Sequence, residues 1–463
     1  MRIQSSWVVI AGIAVALCSC TSDEPGGPSS TPTFNTATVA ANPSNTISAE
    51  ATIDASHYDS AFIRFWALGV ALDSTPRFAF VDDLPLKVPV LGMDTSTTYS
   101  LEMNLVSGGR IDAVDTASFT TGGLPAWIPA MSAIGTDTTP GYLAMSFPLG
   151  AVIVDNTGKV RWFKSLDGGV LNTFQAHKNG LYTIIDVSDP ETKFHVLNSL
   201  GNEIGTLQCV GFPTRFHDLY VQAGGDYWIT CDDTRTMDLT ALGGVNAATV
   251  MATVVQHVSK DGLVLFEWNS FDHFQITDLP LADRTGVNVN FTHGNGIELD
   301  DDGNLLMSFR SLSEITKINV STGAIMWRLG GLQNQFTFLN DSKGFFERQH
   351  GLRKAAPGMI QLLDNGLVAP SRFVRYLIDP QNLTALLVME FIDSPTTFTN
   401  VGGNTQYYSN GHAAVSFGKA GRVVEVDPSG NRAWELTGPE GNYVFRVQRF
   451  HSLYAPGVGD SNH

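Results

Sequence analysis

Short stretches in which apolar and polar residues alternate recur along almost the whole chain, separated by turn residues. The pattern is clearest in residues 291–331. There, residues 293–299 alternate up to a DDDG turn, residues 304–310 return, and residues 315–320 and 324–329 flank an STG turn. Successive side chains on a strand point to opposite faces, so this period of two predicts strands, and the tight turns predict hairpins. The segment is therefore predicted to be one four-stranded antiparallel sheet.

A turn containing an Asx residue or glycine recurs six times after residue 142, and the strand that follows it often carries a tryptophan. The turn segments are residues 155–158, 198–201, 260–262, 320–323, 379–382 and 427–430. The tryptophans are Trp162, Trp268, Trp327 and Trp434. A single sheet of this kind cannot bury both faces, whereas a closed ring of sheets buries them and removes exposed edges. The repeat predicts an all-β, six-bladed β-propeller over residues 124–463, with the tryptophans packing between blades.

Residues 33–123 also alternate but lack the repeat. Leu91 followed by Tyr99 just before a strand is typical of the tyrosine corner of an immunoglobulin-like or fibronectin III-like sandwich. The sequence predicts a small β-sandwich of that kind here, followed by a proline-containing linker at residues 124–129. We expect it to act as a spacer or as a docking or dimerisation surface, and a homodimer would be compatible with that role.

Residues 1–20 have the composition of a secretory signal, because their apolar run is too short to span a membrane. The run ends in Leu-Cys-Ser-Cys, which resembles a bacterial lipobox and implies that Cys20 becomes lipidated, with residues 21–32 as a flexible tether. An ordinary cleaved signal is the alternative. The residue after Cys20 is not aspartate, which favours the outer membrane, with the protein facing the periplasm or the cell surface.

The composition supports an all-β chain, and the net charge limits the classes of partner that it can bind. Forty-five glycines and only 16% charged residues favour strands and turns, and the net charge of −17 argues against nucleic acid or an anionic membrane surface. A small anionic substrate remains compatible, because a local cationic pocket decides its binding. No zinc-type ligand spacing occurs, so neither a metal nor another cofactor is expected. Outside the signal, Cys209 and Cys231 could form a disulfide or stay as two buried thiols.

Four histidines occupy similar places in the repeat. His217, His293, His350 and His412 each lie shortly before a glycine assigned to the next hairpin, namely Gly224, Gly303, Gly358 and Gly418. That spacing places them at the start of the innermost strands, so they are predicted to converge at one end of the central channel. For any one of them, a hydrogen bond within a turn is the alternative. His293 and Asn295 share a strand face and Arg310 ends the returning strand, which together could hold an anion.

The segments HGNGIELDDDGNLLMSFR, ITKINVSTGAIMWRLGG, RQHG, LLDNG and SRFVRYLID, in this order, resemble the bacterial arylsulfate sulfotransferase family. The resemblance extends from residue 216 to residue 463 and includes the sandwich in front. It implies a small β-sandwich, a six-bladed propeller and a site at the channel end that transfers a sulfuryl group from an aryl sulfate to a phenol. In that family the group passes through a sulfated histidine, and no nucleotide sulfate donor is used.

The same resemblance assigns roles to individual residues. It implies His350 as the nucleophile, with His293, Asn295, Arg310 and His217 completing the catalytic set. A neutral imidazole is nucleophilic at neutral pH, and sulfuryl transfer through a loose transition state depends on positioning and fixed positive charge, by analogy with phosphoryl transfer. A covalent intermediate predicts ping-pong kinetics.

Two further residues are weaker candidates for substrate binding. Arg372 fits the family pattern but would serve equally well as a structural arginine, and His412 has no counterpart role. The main alternative function is a non-catalytic propeller lipoprotein that binds a ligand or a protein. A quinone-dependent dehydrogenase is a second alternative, weakened by the lack of vicinal cysteines. The combination of His350, Arg310 and the His293–Asn295 pair favours the enzyme, because a binding module does not need that set.

Overall fold

The computed structural model describes residues 31–80, 84–166 and 168–457. Cys20 and the predicted signal lie outside the described residues. The described chain is all-β, with five short 3-10 turns at Thr240–Leu242, Ser270–Asp272, Ile276–Asp278, Leu281–Asp283 and Gly418–Ala420. Within these ranges no helix is both long and apolar enough to cross a bilayer.

The first eight strands form two facing antiparallel sheets. The strands are β1 (Thr33–Ala41), β2 (Ala49–Ser56), β3 (Ser60–Ala67), β4 (Val70–Ser74), β5 (Phe78–Ala79), β6 (Leu86–Val90), β7 (Thr98–Ser107) and β8 (Arg110–Thr120). One sheet has the order β1-β2-β6 and the other β4-β3-β7-β8, with β5 pairing β3. Their apolar faces share a core that includes Ile53, Phe65 and Leu101. The Tyr99 hydroxyl accepts a hydrogen bond from the Asp94 N–H at 2.8 Å, as expected for a tyrosine corner.

The remaining strands form six sheets. The first strands of this part are β9 (Ser132–Ile134), β10 (Tyr142–Phe147), β11 (Gly150–Val154), β12 (Val160–Ser165), β13 (Leu171–Ala176), β14 (Tyr182–Asp186), β15 (Phe194–Leu197), β16 (Glu203–Leu207), β17 (Thr214–Val221), β18 (Tyr227–Met237), β19 (Ala248–Val258), β20 (Val264–Asn269) and β21 (Asn288–Asn290). They are followed by β22 (Gly294–Leu299), β23 (Leu305–Phe309), β24 (Glu314–Ile318), β25 (Ile325–Gly330), β26 (Thr337–Leu339), β27 (His350–Lys354), β28 (Met359–Asp364), β29 (Arg372–Asp379), β30 (Thr384–Phe391), β31 (Asn404–Tyr407), β32 (Ala413–Ser416), β33 (Val423–Val426), β34 (Arg432–Thr437) and β35 (Val447–Phe450).

Each of the six sheets has an antiparallel path of at least four strands. The orders are β35-β10-β11-β12, β13-β14-β15-β16, β17-β18-β19-β20, β22-β23-β24-β25, β27-β28-β29-β30 with β26 at the outer edge, and β31-β32-β33-β34 with β9 at the outer edge; β21 also pairs β19. The sheet predicted from residues 291–331 is therefore present. All six turn segments singled out in the sequence join the third and fourth strands of a sheet.

The first strands of consecutive sheets touch one another, so the six sheets are arranged around a shared centre. Contacts run from β13 to β17, then to β22, β27 and β31, and β35 contacts both β31 and β13. The last strand of the chain thus completes the first sheet, while β9 completes the last one. The fold is all-β and propeller-like.

Tryptophans on the fourth strands link neighbouring sheets. The indole Nε1–H of Trp162 donates to Ser199 O, and that of Trp268 donates to Gly323 O, each in the outer turn of the next sheet. Trp434 donates in the same way to Asn156 O, which links the last sheet to the first. These tryptophans are buried packing residues between sheets, as the sequence predicted.

Cys209 and Cys231 form a disulfide with an S–S distance of 2.07 Å. It joins β18 to the segment that precedes β17. Of the two alternatives left open by the sequence, the structure has the bonded one.

Candidate functional site

Three histidines from consecutive sheets meet at one end of the shared centre. His217 lies in β17, His293 directly precedes β22, and His350 is the first residue of β27. The Nε2 atoms of His217 and His293 are 3.0 Å apart. The ring of Phe445 lies edge-on to His350, with its centroid 6.3 Å away, and 6.0 Å from that of His217. An aromatic wall therefore adjoins the imidazoles.

The backbone at His293 is unusual. Its φ of 51° lies in the left-handed region, which costs a residue with a Cβ about 1–2 kcal/mol. The surrounding structure holds it there: Arg310 N–H donates to His293 O at 3.0 Å, and the hydroxyl of Thr253 accepts from Gly294 N–H at 2.7 Å. This conformation turns the His293 ring towards His217, away from the regular strand that the sequence suggested.

His350 is buried, and its neighbours determine which nitrogen carries the proton. The Asn365 side-chain Nδ2 donates to Thr399 O and Gly402 O, so its Oδ1 is left as an acceptor, 2.8 Å from His350 Nδ1. Nδ1 therefore bears the hydrogen. Nε2 keeps its lone pair, towards which Gly402 N–H points at 3.3 Å.

The glycine after His350 is required by the close approach of the next sheet. Gly351 has φ 61°, and a Cβ at this position would lie 2.3 Å from Asn404 Cα. The pairing of β27 with β28 is also irregular between His350 and Arg353. A side chain at position 351 would push β31 away and displace the His350 imidazole.

Below the histidines, a buried carboxylate ties three sheets together. Asp218 follows His217 and accepts hydrogen bonds from Arg353, at 3.0 Å, and from Arg446. It also accepts from the Ile297 N–H at 2.9 Å. Arg446 in turn donates to His217 O at 3.0 Å. The network holds the backbone of His217, and its arginine charges are partly compensated by Asp218.

All three imidazoles are held in the neutral form. Burial is the main cause and lowers the pKa of His350 to about 3, with the nearby Arg310 charge acting in the same direction. Burial also brings the pKa values of His217 and His293 well below their usual range, and each is lowered further by the other histidines and by Arg215 and Arg310. Neutral imidazoles at physiological pH are therefore available as nucleophile, donor and acceptor.

The open side of the site carries cationic groups. Arg310 is half-buried and donates through Nη2 to Asn400 O at 3.0 Å, whereas its buried Nε has no partner in the described part of the chain. Arg348 lies close by and pairs with Asp283. Burial raises the pKa of Tyr443, while the Arg310 charge acts in the opposite direction. An anion bound inside the site could accept a hydrogen bond from this unpartnered N–H group.

Asn295, a member of the predicted catalytic set, does not contact the three histidines directly and binds the residue before His350. Its Nδ2 donates to the backbone oxygen of Gln349 at 2.7 Å, and Gln349 directly precedes His350. The buried Oδ1 of Asn295 has no partner among the residues described. His217, His293, His350 and Arg310 do come together.

The predicted convergence of four histidines is wrong for His412. The first hairpin of the last sheet turns at Gly411, with φ 90°, and not at Gly418, so His412 falls at the start of the second strand, β32. Its Nδ1 lies 3.0 Å from Glu425 Oε1, in an ion-pair cluster with Arg449. Because the sequence analysis assigned the hairpin to Gly418, it placed His412 on the first strand of the sheet, whereas His412 lies at the start of the second strand.

Arg372 has the contacts of a structural arginine. Its guanidinium binds Asp341 at 2.9 Å, Asp364 at 2.9 Å and Glu390 at 2.8 Å, and it also donates to Phe345 O. The side chain is buried and all three nitrogens are engaged.

Sequence reasoning missed three polar residues that contact the histidines, namely Asn290, Asn365 and Arg215. Asn365 follows a strand in an Asn-Gly pair, which is typical of a turn, so nothing local marks it as a histidine partner. Arg215 lies two residues before His217, and that spacing on a strand was a signal that could have been used.

The fold and the site together define an all-β, propeller-like protein with neutral histidines and an arginine at its centre. Residues 155–439 match the sequence profile of the Arylsulfotransferase (ASST) family. The match covers more than half of the chain, and the chain belongs to this family. No curated protein matches the sequence.

Similar solved structures share little sequence with the chain. A protein of unknown function from Bacteroides caccae is 13% identical over 67% of this chain and 98% of its own, with a TM-score of 0.42. Virginiamycin B lyase from Staphylococcus aureus is 11% identical over 66% of this chain and 88% of its own, with a TM-score of 0.37.

Proposed function

We propose that the protein is an arylsulfate sulfotransferase that moves a sulfuryl group from an aryl sulfate to a phenol through a sulfated His350. One observation carries the proposal: His350 is buried, neutral and oriented so that Nε2 holds a lone pair, beside the cationic Arg310. A neutral nucleophile next to fixed positive charge suits attack on an anionic sulfate ester.

In the first half-reaction, the Nε2 lone pair of His350 leaves the long contact with the Gly402 N–H and forms a bond to sulfur, and the bond from sulfur to the aryl oxygen breaks. The electron pair of that bond leaves with the phenolate. His350 becomes an N-sulfated imidazolium, whose Nδ1–H remains bonded to Asn365 Oδ1, so the amide stabilises the positive ring. Arg310 and the neighbouring histidines supply donors to the sulfuryl oxygens. Losing one such donor commonly costs on the order of a hundredfold in rate.

In the second half-reaction, a phenol takes the place of the first product. Its oxygen attacks sulfur, the S–Nε2 bond breaks with its electron pair returning to His350, and the phenolic proton passes to a neighbouring imidazole. The aromatic wall at Phe445 and the half-buried Tyr443 suit an aryl group on either substrate.

We propose that the six sheets are the blades of a closed six-bladed propeller and that β1–β8 are an immunoglobulin-like sandwich. The continuous contacts between first strands and the Trp434 link from the last sheet to the first support the closed ring. The tyrosine-corner hydrogen bond of Tyr99 supports the sandwich.

We also propose that the protein is lipid-anchored at Cys20 in the cell envelope, at the outer membrane. The apolar segment and the Leu-Cys-Ser-Cys sequence support this location, and the Cys209–Cys231 disulfide suits an oxidising compartment. Metabolic labelling with a fatty acid, compared between wild type and Cys20→Ala, tests the anchor: label retained in the variant would refute it.

Steady-state kinetics test the proposed reaction. With p-nitrophenyl sulfate as donor and phenol as acceptor, we expect phenol to accelerate p-nitrophenolate release and double-reciprocal plots to be parallel. A sulfated phenol should appear in equal amount. Release that does not depend on phenol would identify a hydrolase. No release from a broad panel of aryl sulfates would contradict the proposal.

A further inference from the structure

We propose that Arg215 is a positioning residue that gives His217 and His293 opposite roles: His217 Nε2 carries the proton, and His293 Nε2 accepts the proton of the incoming phenol. The inference rests on the proposed sulfuryl transfer and concerns its second half. It begins from Arg215, which touches both imidazoles and is absent from the family motifs used above.

The first step follows from donor chemistry. A guanidinium has five N–H donors and no acceptor. Arg215 Nε lies 3.1 Å from His217 Nδ1, so Nδ1 must be the acceptor and hold a lone pair. A neutral His217 then carries its proton on Nε2.

The tautomer of His217 determines the tautomer of His293. The two Nε2 atoms are 3.0 Å apart, a distance that allows one hydrogen between them and excludes two. Because His217 supplies the hydrogen, His293 Nε2 holds a lone pair and its proton lies on Nδ1. Arg215 Nη2 lies 3.5 Å from that Nδ1, which is too far for a normal hydrogen bond, so it does not require a lone pair there. Asn290 Nδ2 lies 2.5 Å from His293 Nδ1, closer than an N–H···N hydrogen bond allows, and the buried Oδ1 has no partner in the described residues. We therefore assign the amide oxygen to the position that faces Nδ1. With the amide oxygen facing Nδ1, both groups are satisfied.

Arg215 is itself held in place. Its Nη1 donates to Asp232 at 2.7 Å and contacts Met251 Sδ at 3.2 Å, and the side chain is buried. Asp232 follows Cys231, whose disulfide fixes this end of β18. The guanidinium therefore cannot turn away from the histidines without giving up an ion pair.

The charges around the pair keep it from gaining a proton in the resting state. Arg310, Arg348 and His350 all face His293, and burial together with these groups lowers its pKa. Once a substrate opens the hydrogen bond between the two Nε2 atoms, the pair offers one N–H and one lone pair at neutral pH.

The two half-reactions use these groups differently. In the first, His217 Nε2–H donates to a sulfuryl oxygen, and a good leaving group such as p-nitrophenolate departs without needing a proton. In the second, the phenol must lose one. Its proton passes to His293 Nε2 as its oxygen bonds to sulfur and the electron pair of the S–N bond returns to His350; His293 then releases the proton to solvent.

Comparing the half-reactions tests the proposal. The pre-steady-state burst of p-nitrophenolate reports the first half, and its phenol-dependent turnover reports the second. Arg215→Lys keeps the charge and the Asp232 pair but loses the Nε–H that fixes the His217 tautomer. We expect the second half to slow by about tenfold or more and the burst to change by less than about threefold. An acceptor phenol that is already ionised at the assay pH should recover most of the lost rate.

Equal slowing of both half-reactions, or no slowing of either, would overturn the assignment. Arg328→Lys is the matched control, because Arg328 pairs with Glu314 and Asp278 and does not contact the three histidines; both half-reactions should stay unchanged. A wild-type protein without a burst would refute the proposed function instead, which separates the two failures.

A second readout needs no substrate. Nitrogen-15 NMR of the imidazoles in the purified protein distinguishes Nδ1–H from Nε2–H tautomers. We expect His217 as Nε2–H and His293 as Nδ1–H, assigned by single His→Gln variants. Finding the same tautomer in both rings would overturn the proposal.

Discussion

At the scale of single residues, an asparagine decides which nitrogen of the central histidine can react. Asn365 has its amide donors committed to Thr399 O and Gly402 O, so only its oxygen faces His350. The resulting Nδ1–H leaves the lone pair on Nε2, which is the nucleophile in the proposed mechanism, and the same bond would stabilise a sulfated ring.

Replacing Asn365 should alter the first half-reaction in two distinguishable ways. In Asn365→Ala the ring loses its Nδ1 partner, and we expect the p-nitrophenolate burst to slow by about tenfold or more. In Asn365→Asp the carboxylate raises the pKa of His350 from about 3, so the burst should fall as pH decreases through the raised pKa, whereas the wild-type burst stays constant from pH 8 to about 5. A wild-type burst that already declines near pH 6.5 would contradict the neutral, buried His350.

Arg372 should matter for stability and not for chemistry. Removing it leaves Asp341 and Asp364 buried without their main cation, which commonly costs about 3–5 kcal/mol. We therefore expect Arg372→Ala to lower the free energy of unfolding by that order, measured by urea denaturation, while the folded fraction keeps its kcat/KM. A large loss of kcat/KM with unchanged stability would place Arg372 in the substrate site.

The residues of the central cluster were predictable, but their geometry was not. His217, His293, His350 and Arg310 followed from the repeat and the family resemblance, since both depend on local patterns. The left-handed backbone of His293 and the contact with Asn365 depend on loops from other parts of the chain, which a single sequence does not reveal. His412 was misplaced because Gly418 lies in a 3-10 turn and not in a hairpin.

At the scale of strands and sheets, the alternation of apolar and polar residues predicted the regular four-stranded sheets well. The sheet β22-β23-β24-β25 follows the alternation of residues 291–331 closely, because one turn type and one face decide its register. Additions such as β9, β21 and β26 were not predicted. They are three residues long and pair with distant strands, so they leave no periodic signal.

The contribution of the tryptophan hydrogen bonds to stability can be measured by comparing two tryptophans of this chain, one with such a bond and one without. Trp434 Nε1–H donates to Asn156 O at 2.9 Å, whereas the buried Nε1 of Trp327 has no partner in the ranges described. Trp434→Phe should therefore destabilise the protein by about 1 kcal/mol more than Trp327→Phe, the difference being one hydrogen bond. Urea denaturation of both variants measures it. Equal losses would show that only packing contributes.

At the scale of the whole molecule, the buried histidines couple stability to pH. The unfolded chain protonates them near pH 6.5, but the folded protein holds His177 and His350 neutral down to about pH 3, and the pKa values of His217 and His293 are also lowered. The unfolded state therefore binds more protons below pH 6.5. Each such histidine lowers the free energy of unfolding by up to about 1.4 kcal/mol for every unit by which the pH falls below 6.5.

Buried carboxyls act in the opposite direction: burial raises the pKa values of Glu314 and Asp232, and that of Glu298 by the largest amount. Burial raises the pKa of Glu298 to about 7, so its folded form holds a proton that the unfolded chain releases above about pH 4.5. Four histidines outweigh these carboxyls, and the free energy of unfolding should fall steeply as pH decreases from 6.5 to 5. Urea denaturation at several pH values tests this, with His177→Gln expected to reduce the slope. A constant stability over that range would contradict the neutral histidines.

The arrangement of sheets that buries the histidines brings three of them to one site. Asp218 binds Arg353 of the sheet that carries His350 and Arg446 just before β35, so the site depends on several sheets and not on any single one.

The most direct test of the account is the mass of the protein after it meets an aryl sulfate without an acceptor. We expect one added sulfuryl group that maps to His350, disappears on addition of phenol, and is absent in His350→Ala. An adduct on another residue, or turnover to phenol that proceeds at full rate in His350→Ala, would contradict the central claim.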